Sequence, residues 1–139
     1  MKFFWLQVSL LGFCFFIPIN VYFIGSGQGV GIQTIFYRYQ ETYLGDNLIT
    51  IVRDAEYVLS ETVTGKTATG YSLWILGSLL VMIALIYFSS EGRQIMRTTG
   101  FFLVMSGICF LLSMIFQYGI ILHNNSGFCI PFGIPTLIL

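Results

Sequence analysis

Three long apolar runs without a single charge constrain this chain most. They are residues 3–24 (FFWLQVSLLGFCFFIPINVYFI), 71–88 (YSLWILGSLLVMIALIYF) and 101–122 (FFLVMSGICFLLSMIFQYGIIL), of 22, 18 and 22 residues. A helix crosses the hydrocarbon core with about 20 residues, and roughly 17 to 25 are tolerated. All three runs qualify. Amphipathic rings mark their ends, Trp5 and Tyr22, Trp74 and Tyr87, then Tyr118, as an aromatic belt requires. Only 9% of the residues are charged, against about 25% in an average soluble domain. The expected fold is therefore an all-α integral membrane protein. It would be a single domain, a three-span helical bundle whose loop 25–70 caps it on the outer side.

The first run has a competing reading as a cleaved signal peptide, with Lys2 before it and the small residues Gly25 and Gly27 after it. Its apolar core exceeds the usual signal core of about 7 to 15 residues, which favours a retained signal-anchor.

Charge gathers in one place. Residues 37–61 hold Arg38, Glu41, Asp46, Arg53, Asp54, Glu56 and Glu61, seven of the twelve charged residues. Charge at mid-bilayer costs several kcal/mol, so this loop is where water or headgroups solvate it. Lys2, Arg93 and Arg97 lie two crossings apart on one side. The positive-inside rule makes that side the cytoplasm. The cell membrane is the expected location, with a cytoplasmic N-terminus and with loop 25–70 and the C-terminus extracytoplasmic.

The loop divides into segments. GSGQGVG is a pliable exit from the first span, and no register of it fits a dinucleotide-binding fingerprint. IQTIFYRYQETY suits an extended strand, rich in aromatic and β-branched residues. LGDN signals a turn, with Asp46 or Asn47 placed to cap a helix from Leu48. Leu48, Ile51, Val52, Ala55, Val58 and Leu59 then fall on one helical face. The β-branched run 49–52 argues for a strand instead. TVTGKTATG lacks the first glycine of a phosphate loop and reads as a polar tether.

Small residues recur every seven positions: Gly70, Gly77 and Ala84, then Gly100 and Gly107. A thin helix face permits close approach, and these five are the expected packing seam. Pro18 beside Asn20 is a kink signal. His123 is expected at the membrane interface. The tail FCIPFGIPTLIL is too short to cross and is expected to dock on the bundle or enter the outer leaflet.

Function is less constrained. One His and three scattered cysteines, Cys14, Cys109 and Cys129, give no metal-ligand spacing, so no metal or cofactor is expected. Without a cationic run no nucleic acid is expected. The spans carry no Asp, Glu, Lys, Arg or His, unlike most proton or ion pathways. The expectation is a non-catalytic accessory subunit or scaffold in the lipid bilayer. It would hold a membrane-protein partner, or a second copy, through Tyr37, Arg38, Tyr39, Tyr43 and Arg53, since Tyr and Arg favour interface centres. The alternatives are a homo-oligomeric pore and a lipid-acting enzyme using Asp54, Glu56 and His123.

Overall fold

A computed structural model describes residues 16–88, 93–125 and 127–134, with positions 5, 9 and 12. Ten of the 22 residues of the first apolar run, Gln7 and Cys14 among them, lie outside the described residues, as does Lys2 before it. So do Ser126 and residues 135–139.

The fold is mixed α/β, which corrects the all-α expectation. Strands β1 (Asn20–Ile24), β2 (Gly29–Gln33), β3 (Tyr37–Thr42) and β4 (Gly45–Thr50) come first. Helices α1 (Ile51–Leu59), α2 (Gly65–Phe88) and α3 (Arg93–Tyr118) follow, then β5 (His123–Asn124) and β6 (Gly127–Pro131). The six strands make one antiparallel sheet in the order β4-β3-β2-β1-β6-β5.

The end of the first apolar run is thus a strand, not part of a span. Trp5, Ser9, Gly12 and Phe16 are helical, and regular helix stops at Ile17–Pro18. Proline removes a backbone donor and clashes with the turn before it. The freed backbone is taken up by the sheet: Ile19 N–H donates to Gln33 O at 2.7 Å, and Phe132 N–H donates to Ile19 O at 2.9 Å. Beside β1, Gly31 of β2 leaves room for the Tyr22 ring, into which any β-carbon would collide.

The expected loop helix begins three residues late. Leu48–Thr50 complete β4 opposite Tyr39, Arg38 and Tyr37. Thr50 is the residue before α1, and neither Asp46 nor Asn47 caps it. Of the β-branched run 49–52, Ile49 and Thr50 sit in the pleat, which suits them, while Ile51 and Val52 open the helix.

Gly65–Phe88 and, within α3, Arg97–Tyr118 are long and apolar enough to cross a membrane. They are the two candidate spans among the described residues, where three were expected. They lie against each other as a hairpin, with Phe110, Trp74, Val81 and Met114 in its core. A β-carbon on Gly70 would stand 2.5 Å from the Gln117 side chain, and one on Gly77 would stand 2.7 Å from the Phe110 ring. Ala84 and Gly107 are buried there too, whereas Gly100 is exposed with nothing near its missing β-carbon.

The sheet is pinned to this hairpin. Trp74 Nε1–H donates to Thr34 O at 3.0 Å, and Ser78 Oγ–H donates to Ile35 O. Ile19, Ile35 and Ile134 complete the core beside Trp74 and Val81. The strand ends at 18–19, 34–36 and 131–134 therefore lie beside the helices. The hairpin turns at 25–28 and 43–44 lie at the opposite end.

Candidate functional site

Alternation along the strands assigns the two sheet faces. Asn20, Gln33 and Arg38 share one cross-strand row, and Cys129, Tyr22, Gly31 and Gln40 the next. This face meets the helices, yet it is largely polar. Asn20 Nδ2–H donates to Gln33 Oε1 at 2.9 Å, and Tyr22 O–H to Gln40 Oε1 at 3.3 Å.

Its centre is Arg38. One guanidinium nitrogen, Nη2, donates to Asp54 Oδ1 at 2.7 Å, and Nη1 donates to the Tyr71 hydroxyl at 2.8 Å. Three elements, β3, α1 and α2, thereby meet at one side chain. Asp54 is fully buried and Arg38 is 12% exposed. The second arm of the fork is not made: Arg38 Nε and Asp54 Oδ2 have no hydrogen-bond partner among the described residues. Burial lifts the Asp54 carboxyl above its usual value, and the adjacent Arg38 charge pulls it back only in part. Burial also opposes the Arg38 charge, but Tyr71, Asp54 and Tyr22 outweigh it and hold that pKa above the ordinary arginine value. Burial pushes Tyr22 up to about 12. The cluster is a buried ion pair that ties three elements together.

The residues expected at a partner interface separate here. Arg38 is committed inside. Tyr37 is half-buried on β3. Tyr39 is exposed on the outer sheet face, and Tyr43 stands fully out at the β3–β4 turn at 77%. Arg53 is exposed on α1, where its Nε–H donates to the Tyr57 hydroxyl at 2.8 Å. Tyr39 and Tyr43 are joined by exposed residues that sequence reasoning assigned to no interface, Leu44 in the turn and Leu48 on β4.

The groups considered for catalysis do not converge. Asp54 is buried at the inner face beside β3. His123 stacks on Phe128 on the outer face, at β5. Four strand spacings, roughly 19 Å at about 4.8 Å each, separate β3 from β5. Among the described residues no three His, Cys, Asp or Glu side chains gather as a metal site.

The outer face is the reverse of what a sheet packed on helices normally shows. Ile130, Val21, Ile32, Tyr39 and Leu48 form one row across five strands, and Phe128, Phe23, Val30, Glu41 and Asp46 the next. Ile32, Phe128 and Ile130 are about 40% exposed, at 41%, 39% and 42%. Phe23 and Phe128 stack with ring centres 4.3 Å apart. Sheets with one covered face ordinarily turn apolar residues inward and polar ones to solvent.

Comparison with known protein families, curated proteins and solved structures finds no match to this chain.

Proposed function

We propose that this chain is a non-catalytic integral membrane protein, an accessory subunit or scaffold, that holds a partner protein on its β3–β4 hairpin. One observation carries the reading. At the end of the sheet farthest from the helix ties, Tyr43 and Leu44 are 77% and 81% exposed, and Leu48 beside them is 60% exposed. Large side chains held in the open on a rigid two-stranded turn lose little entropy on docking, and tyrosine is favoured at interface centres. β4 is also an edge strand, paired only to β3 among the described residues. Its outward backbone groups can take a partner strand. Val52 on α1, 64% exposed, extends the patch.

The helical hairpin anchors this platform. Arg93 and Arg97 lie at the hairpin end opposite the sheet. By the positive-inside rule that end is cytoplasmic and the sheet extracytoplasmic. The partner is then a membrane protein or secreted protein on that side, or a second copy of the chain.

The test is photo-crosslinking in native membranes, with benzoylphenylalanine replacing Tyr43 or, in a second variant, Leu48. Docking predicts one protein adduct of defined mass from both sites. It also predicts loss of the Leu48 adduct when Tyr39→Ala and Tyr43→Ala are combined. Lipid adducts alone at both sites would refute it.

A further inference from the structure

The outer sheet face raises a question the docking hairpin leaves open, namely what covers the apolar surface of β6, β1 and β2. The depth of the sheet along the spans answers it. The turn at 34–35 is held by Trp74 and Ser78, and Ser78 lies seven residues beyond Tyr71. At about 1.5 Å per residue that is roughly 10 Å further along α2. One end of the sheet is therefore tied well inside a segment long and apolar enough to span. Near the end of α3, Ile120 and Ile121 are 88% and 87% exposed. Leu122 beside them accepts the Cys129 backbone N–H at 2.9 Å. The exposed apolar band of the helices thus continues to the middle of β6.

Resting on the membrane reading above, we infer that the outer face of β6, β1 and β2 is bathed by lipid acyl chains. Val21, Phe23, Val30, Ile32, Phe128 and Ile130 form the contact. The inversion of the sheet follows. A sheet set in hydrocarbon hides its polar side chains against the protein and turns its apolar ones outward. Lipid-exposed sheet edges do not occur, because their backbone groups would go unpaired. The long edge β4 obeys this, since Asp46 and Asn47 on it and Glu41 opposite mark the watered side. The acyl contact ends between β2 and β3.

The experiment uses the unaltered chain, labelled at isoleucine methyl groups, in phosphatidylcholine nanodiscs. Relaxation by a nitroxide on the lipid tail is compared with relaxation by a soluble gadolinium chelate. Ile83 and Ile108, exposed on the helices at 37% and 40%, are the references. The Ile32 and Ile130 signals are expected to be lost with the lipid nitroxide, as those of Ile83 and Ile108 are, and kept with the chelate. Loss of Ile32 and Ile130 to the chelate, while the references are spared, would overturn the inference and leave the spans standing. Survival in both reagents would place protein on that face and also overturn it. Loss of Ile83 and Ile108 to the chelate would defeat the membrane reading itself.

Discussion

Arg38 is the residue on which the junction between sheet and helices turns. Its partners Asp54 and Tyr71 lie 16 and 33 positions away, so no local pattern could announce the pairing. By spacing, Asp54 belonged with the polar residues of an exposed helix face. Tertiary packing instead made it one of the most buried of the described residues. Removing one partner of a buried ion pair strands the other and costs roughly 3 to 5 kcal/mol. Arg38→Met is therefore expected to lower the thermal midpoint in detergent steeply. Replacing both members by apolar residues removes the stranded charge, which is often neutral. The double variant Arg38→Met with Asp54→Leu should recover most of the loss. A double variant as unstable as the sum of the two singles would show that the pair itself supplies little.

The elements differ in how far sequence disclosed them. The two long helices were legible over 71–88 and 101–118, because an uncharged run of 18 or more residues has few other homes. They were not legible at their polar starts, since Gly65–Gly70 read as a tether, nor at 119–122, which lie past the end of the helix. The sheet was not. β1 reads as Asn-Val-Tyr-Phe-Ile, where Asn20 and Tyr22 turn inward and Val21 and Phe23 outward. No charge interrupts it, so it merged with the apolar run before it, and Pro18 was the one sign of a break. The strand at Tyr37–Thr42 could be read from its aromatic residues, but not its partners. The seam between the helices was partly legible from its seven-residue spacing, which cannot say where two helices stop touching. Gly77 and Gly100 make the difference measurable. Gly77→Leu drives a side chain into the Phe110 ring and should cost at least 1 to 3 kcal/mol, roughly the range for overpacking a filled core. Gly100→Ala enters open space in a helix and should gain about 0.5 to 1 kcal/mol from propensity. Unfolding of the hairpin in mixed micelles of increasing denaturing detergent would measure both. Equal effects would remove Gly77 from the seam.

For the whole molecule, the decisive contact is between distant parts of the chain. β6 pairs with β1 from Asn20–Pro131 to Ile24–Gly127, so the last described strand closes a sheet begun before either long helix. Cys129 reports on that closure. Its Sγ lies 3.2 Å from Met114 Sδ, and burial pushes its pKa up to about 12. An exposed thiol titrates near 8.5, and only the thiolate reacts. At pH 8 the seated Cys129 should therefore label with maleimide far more slowly than a free thiol. Raising the pH to 9 should speed that slow labelling about tenfold, because the thiolate fraction of a group titrating far above 9 grows about tenfold per pH unit. An exposed thiol near 8.5 gains only about threefold. The fold can be opened at that seam alone. Gly127 has φ of +137°, and any β-carbon there would strike the Phe23 carbonyl. Gly127→Val should unseat β6 while leaving the helical hairpin intact, and Cys129 labelling should rise by more than tenfold, read at the peptide level by mass spectrometry. The sign matters: because the raised pKa belongs to the folded state, its loss on unseating brings the thiol back toward 8.5 and increases reactivity at every pH below 12. Rapid labelling of Cys129 in the unaltered protein at pH 8 would mean that the sheet is not closed by its C-terminal strand.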